Sequence, residues 1–143
     1  MALSANKTDI GLNTSGITML RLANSQTIYQ GAMVTTGTTT GLARPADDAA
    51  NRQFVGIALH YAKSGASGET WVAVQTQGEF EVKTSGGDQD RVGNYAYCVD
   101  DDEVDTDGTA PTNKVIAGTV ARHISATRCV VRMGAAPNYA ALG

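Results

Sequence analysis

Apolar and polar residues alternate with a period of two along much of this chain, most densely between Phe54 and Lys83. Residues 54–61 and 69–83 read as β-strands joined by the turn-rich stretch Lys63-Ser-Gly-Ala-Ser-Gly68. In Glu79-Phe80-Glu81-Val82-Lys83 the apolar side chains fall on one side and the charged ones on the other. A half-buried strand presents that pattern and a helix does not. Residues 54–61 place Val55, Ile57, Leu59 and Tyr61 on one face and Gly56, Ala58 and His60 on the other, and the small residues of the second face predict a close neighbour. Trp71, Ala73 and Gln75 alternate with Val72, Val74 and Thr76, so that strand is expected to be central, with Gln77-Gly78 bending it.

The same reading extends along the chain. Residues 28–40 are rich in β-branched side chains and favour extended backbone, with Gly31 and Gly37 suited to a bulge or turn. Residues 47–52 are expected to form one helical turn. Residues 95–99 form a short strand, 100–108 an acidic loop, and 114–124 and 127–133 the last two strands. A faint internal echo links Phe54-Val-Gly-Ile-Ala58 and Trp71-Val-Ala-Val74 with Ile116-Ala-Gly-Thr-Val120 and Cys129-Val-Val131. It reads either as two related hairpins of one barrel or sandwich, or as a habit of β-rich sequence. The pattern as a whole predicts an all-β fold, a compact antiparallel barrel or sandwich.

Residues 1–28 differ in composition, being rich in Ser, Thr and Asn with spaced apolar residues at Ile10, Leu12, Ile17, Met19, Leu20 and Leu22. Two readings stand side by side. Gly16-Ile-Thr-Met-Leu-Arg-Leu22 makes a strand on the main sheet, or residues 1–28 form an N-terminal arm ahead of a β-domain over 29–143. An arm needs a partner surface, because ordering costs ~1–2 kcal/mol per residue. Ile10, Leu12, Ile17, Met19, Leu20, Leu22 and Tyr29 are the candidate interface residues.

At 143 residues the chain is long enough for one core, burying roughly two-thirds of its extended surface. A net charge of -3 with scattered cations argues against a general nucleic-acid binder, which needs a concentrated basic face. The start lacks the basic region and apolar run of an export signal, so the protein is expected to be retained in the cytoplasm or to leave it inside something larger. No apolar segment is long enough to cross a bilayer, and no membrane partner is expected. Cys98 and Cys129 lack the close spacing of redox and zinc sites and read first as buried thiols, with a disulfide as the alternative.

Reactive constellations are sparse. The acidic run Asp100, Asp101, Asp102, Glu103, Asp105 and Asp107 offers oxygen ligands, but an EF-hand alignment ends on Lys114 where a closing Glu is required. An irregular cation site and a solvated loop both remain open. His60 and His123 share no metal spacing, no serine sits in a nucleophile elbow, and Ser64-Gly-Ala-Ser-Gly68 is not followed by the Lys-Ser/Thr of a phosphate loop. No enzyme activity and no cofactor are expected. Trp71, Tyr61, Phe80, Tyr95 and Tyr97 read as core aromatics, with a stacking platform as the alternative.

The order of several short phrases carries a resemblance. Tyr29-Gln-Gly-Ala-Met-Val34, Phe54-Val-Gly-Ile-Ala58, Val72-Ala-Val-Gln-Thr-Gln-Gly-Glu-Phe80, Val92-Gly-Asn-Tyr-Ala-Tyr97, Ile116-Ala-Gly-Thr-Val120 and Val130-Val-Arg-Met133 occur in that sequence. Over about residues 27–134 the chain resembles the small capsid decoration, or cement, proteins of tailed bacteriophages. The resemblance implies a β-tulip-like body with an N-terminal arm, Tyr29 to Val34 at their junction, and the Gly56 and Gly118 strands in the wall. It also implies a structural, non-catalytic protein on the outer surface of the mature virion head, assembled in the host cytoplasm. Its partners would be the major capsid protein and copies of itself, as a homotrimer, without direct contact to nucleic acid. The acidic loop over 100–108 departs from the plainest version of the pattern. Another virion module (tail tube, tail tip or fibre base) and a carbohydrate- or protein-binding module are the alternatives. The last predicts an exposed aromatic patch, whereas burial of Trp71 and Phe80 is expected here.

Overall fold

The computed structural model describes residues 16–67 and 69–134. Among them lie twelve strands: β1 Ile17–Arg21, β2 Thr27–Ile28, β3 Met33–Gly37, β4 Ala43–Pro45, β5 Arg52–Ala58 and β6 Ala62–Lys63. The second group is β7 Trp71–Gln75, β8 Gly78–Thr84, β9 Tyr95–Cys98, β10 Glu103–Asp105, β11 Ile116–Ser125 and β12 Arg128–Met133. The only helical element among the described residues is a 3-10 turn, Gln89–Arg91. The fold is all-β, as the alternation predicts.

One five-stranded sheet has the order β1-β7-β5-β3-β4, and a closed barrel has the order β10-β8-β12-β11-β9, with β2 and β6 forming a small ribbon. These are two copies of one topology. β8 pairs with β12, β12 with β11, β11 with β9 and β9 with β10, matching strand for strand the order β1-β7-β5-β3-β4. The registers match too. Val34 pairs with Gly56 and Thr35 with Phe54, skipping Val55; Ala96 pairs with Gly118 and Tyr97 with Ile116, skipping Ala117. The barrel closes through a parallel β10–β8 pairing, Val104 beside Thr84. The first sheet brings its two outer strands together at one parallel bridge, Leu22 beside Ala43. The sequence echo is thus carried by backbone pairing far more than by residue identity.

Gly56 and Gly118 explain why the echo centres on glycine. A Cβ at Gly56 would lie 1.9 Å from the Gln75 carbonyl oxygen, and one at Gly118 would lie 2.1 Å from that of Arg132. Both positions sit on a skipped-residue bulge, where the backbone turns its Cα hydrogen toward the next strand. The bulge also reverses the face on which later side chains emerge. Phe54 and Ile57 both pack on the barrel core, while Val55 and Ala58 join a second core. A strict alternation puts Val55 and Ile57 together; the extra residue corrects that assignment.

The barrel core gathers Val82, Ala96, Cys98, Val104, Val120, Cys129, Val131 and Met133, and receives Met33 and Phe54 from the first sheet. Phe54 stacks on Phe80 with ring centroids 6.3 Å apart, tying the two halves. The second core, built on Leu22, Ile28, Val34, Val72 and Val74, lies inside the first half.

Four expectations change. Residues 16–28 of the expected arm belong to the folded body: β1 pairs along its length with β7, β2 pairs with β6, and Leu22 and Ile28 are buried. Residues 1–15 lie outside the described residues. The predicted helical turn over 47–52 is absent, because the Asp48 carboxylate accepts the backbone N–H groups of Thr112 and Asn113 at 2.8 Å each. The acidic loop contains β10, whose Val104 is fully buried. The run over 69–83 is two strands in different sheets, divided at Gln77-Gly78, where Gly78 has φ +119°.

Thr35 is fully buried and its hydroxyl has no hydrogen-bond partner among the described residues. Thr35→Val keeps the shape and removes that unmet hydroxyl. We expect it to raise stability by about 1 kcal/mol in urea denaturation; a loss of similar size would show that the hydroxyl is satisfied.

Candidate interface

β1 and β7 give the first sheet one wet and one dry face. Their register sets Ile17 opposite Gln75, Met19 opposite Ala73 and Arg21 opposite Trp71. Leu22, Val72 and Val74 face inward and are buried, with Leu20 packed beside them. On the outer face Met19 is 54% exposed, Trp71 48% and Ile17 37%. The Leu59 N–H donates to the Ala73 carbonyl at 2.9 Å, which brings a further exposed apolar residue beside Ala73. His60 holds the junction: its Nε2 accepts the Ala73 N–H at 3.0 Å and its Nδ1 meets the Tyr61 carbonyl at 2.9 Å. Tyr61 and Tyr29 are both more than half exposed, with ring centroids 5.6 Å apart. Arg21 and Glu69 form an ion pair at 4.0 Å at the rim.

The candidate interface residues therefore divide. Ile17, Met19 and Tyr29 are on the surface, whereas Leu20 and Leu22 serve the core and are withdrawn as contact residues. Ile10 and Leu12 lie outside the described residues. Trp71 was expected in the core and is half exposed; Tyr61 likewise. The signal was present in the alternation, since Trp71 shares its face with Ala73 and Gln75 and opposes Val72 and Val74. Phe80 is partly buried on the barrel core. Tyr95 and Tyr97 meet edge to face with centroids 6.3 Å apart.

Three residues of the acidic loop spend oxygens on the backbone nearby. Asp100 accepts the Asp102 N–H at 2.7 Å, Asp105 that of Gly108 at 2.7 Å, and Asp107 both the N–H and hydroxyl of Thr109. Asp102 pairs with Lys83 at 3.1 Å. Burial and the neighbouring Asp100 push the Asp101 carboxyl up from its ordinary value, and burial pushes up Asp105. The Thr109 hydrogen bonds hold Asp107 low. Among the described residues no three His, Cys, Asp or Glu side chains converge as metal ligands.

Cys98 and Cys129 are free and buried in the barrel. Burial, with the charges of Asp47, Asp100 and Asp48 behind it, pushes the Cys98 thiol up to about 12, and burial also raises Cys129. Neither is poised as a nucleophile at neutral pH, where the thiolate is the reactive form. The Nδ1 of His123 is buried without a hydrogen-bond partner among the described residues. No helix of the described residues is long and apolar enough to cross a membrane. Comparison with protein-family models, with curated proteins and with solved structures gives no match to this chain.

Proposed function

We propose that the chain is a structural module of a tailed-phage head, binding the outer surface of the mature capsid and bridging neighbouring capsid subunits. The observation that carries the reading is the order of six glycine-and-hydrophobic phrases, which resembles that of capsid cement proteins. The rest of the molecule is compatible in chemistry. In the acidic loop Asp100, Asp105 and Asp107 are turned onto nearby backbone, the thiols are buried, and an apolar sheet face is exposed and suited to contact. Catalysis has no place in this proposal. Binding only the expanded lattice stabilises that state by mass action, and many copies multiply the effect. Self-association on the capsid, as the trimer that the resemblance implies, belongs to the same proposal.

The test is cosedimentation with expanded empty heads built from the major capsid protein of the same genome. Full-length protein is expected to pellet with expanded heads and to leave unexpanded ones bare. A chain lacking residues 1–15 is expected to keep its melting temperature and to bind less; removal through residue 27 would also delete β1 and unfold the first half. No pelleting with either head form would end the reading.

The exposure of Trp71, Tyr61 and Tyr29 favours a second reading, a carbohydrate- or protein-binding module. It predicts quenching or a blue shift of Trp71 fluorescence on addition of surface oligosaccharides, where the capsid reading predicts no change.

A further inference from the structure

The internal repeat gives the exposed sheet face a built-in control. Superimposing the registers sets Ile17, Met19 and Arg21 of β1 over Glu79, Glu81 and Lys83 of β8, and Trp71, Ala73 and Gln75 of β7 over Arg128, Val130 and Arg132 of β12. The β8–β12 face is dressed for water. Arg132 meets Glu79 at 3.0 Å, Arg128 meets Glu81 at 3.1 Å, and all four side chains are about half exposed. The β1–β7 face has the same backbone and the opposite chemistry, with Met19 and Trp71 where Glu81 and Arg128 stand. Long charged side chains shield a sheet face from chance contacts, and among the described residues the β1–β7 face carries fewer of them.

The β1–β7 face also runs on from an existing packing surface. Ile57 and Phe54, on the neighbouring strand β5, pack against the barrel core, and Leu59 continues that line outward to Ala73. The patch is self-complementary at its rim, where Arg21 and Glu69 put one charge of each sign beside Trp71. A two-fold contact requires that property, since each surface meets its own copy. About half of Met19 and of Trp71 is exposed, and Leu59 is 38% exposed. Together they expose on the order of 300 Å². That is near the size of functional patches and about a third of one partner's share of a standard interface, the polar rim supplying the remainder.

We propose that the β1–β7 face is a self-association surface: Met19, Leu59 and Trp71 pack against the same face of a second copy, with Arg21 of each copy opposite Glu69 of the other. This contact is separate from any three-fold grouping on a capsid and stands apart from the capsid reading, because it forms between free chains.

The test is the mass of the full chain by sedimentation velocity at micromolar to submillimolar concentration, without heads. The expected result is a dimer, reduced to monomer by Met19→Glu and by Trp71→Glu with unchanged β-type circular dichroism. Arg21→Glu and Glu69→Arg are each expected to weaken the dimer about tenfold. An equimolar mixture of those two variants recovers wild-type association, because only the mixed pair sets opposite charges across the two-fold. A monomeric wild type, a trimer, a dimer indifferent to Met19→Glu and Trp71→Glu, or no recovery in the mixture each overturns the proposal. A monomer whose Met19→Glu and Trp71→Glu variants lose only head binding also overturns it and assigns the face to the capsid wall. A chain that fails only the head-binding test leaves the solution dimer standing.

Discussion

Gly56→Ala is expected to destabilise the protein by roughly 3–5 kcal/mol, enough to lower its melting temperature by about 10 °C or more. The added Cβ would meet the Gln75 carbonyl oxygen at 1.9 Å and its carbon at 2.8 Å. Both atoms are backbone, so no side-chain rotation relieves the overlap, and β5 must separate from β7. The pairs Ile57–Gln75 and Ala58–Val74 are lost with it, and these are the registered pairs joining those strands. The repeat predicts the same outcome for Gly118→Ala, where the Arg132 carbonyl oxygen lies 2.1 Å from the new Cβ. Gly65→Ala is the control: its nearest neighbour would be the Ser67 carbonyl oxygen at 3.7 Å, and a change within about 0.5 kcal/mol is expected. Urea denaturation of the three variants reads all of this. Equal stabilities would mean that the close strand approach at the two bulges is absent.

Phe54→Ala is expected to cost about 3–5 kcal/mol and to loosen the two halves from each other. Phe54 is rooted in the first sheet, yet its ring is buried in the barrel core and stacks on Phe80 of β8. Removing it opens a cavity at the seam and leaves Ile57 and Met33 as the remaining large apolar side chains crossing from the first sheet. Trp71, the one tryptophan of the chain, reports on the first half, and the buried thiols of Cys98 and Cys129 on the second. In the wild type, tryptophan fluorescence and labelling of the two thiols should change together on denaturation. In Phe54→Ala the two transitions should come apart, since each half keeps its own core. Coincident transitions in the variant, with a loss under about 1 kcal/mol, would show that the seam does not depend on this ring.

The fold class was readable because alternation survives wherever one face is buried. Glu79 to Lys83 lies within β8, residues 95–99 contain β9, and 127–133 contain β12. What escaped the pattern has local causes. A bulge at Val55 shifts the parity of β5, so Ile57 emerges beside Phe54 rather than Val55. β10 is three residues long, too short to show a period, and its single buried valine is hidden among acids. Asp48 reads as a helix starter by type, but its carboxylate is committed to backbone 64 and 65 residues away. The repeat itself was visible as a glycine-centred echo, and the pairing registers gave it substance. Of the candidate contacts, Met19 and Tyr29 were legible as apolar residues within or beside a stretch rich in Ser, Thr and Asn. Leu20 and Leu22 were not separable from them by composition, because only the strand's orientation turns one set inward. Trp71 has the residue type of a core aromatic, but the face it shares with Ala73 and Gln75 in the alternation turns it outward.

Cryo-electron microscopy of expanded heads, prepared with and without the full-length protein, decides whether this chain holds a capsid surface together, as we propose. Added density of this two-half β-body is expected on the outer surface, astride neighbouring capsid subunits, with heads that withstand higher temperature before opening. Bare heads at saturating protein, or density at the tail instead of the shell, would overturn the proposal.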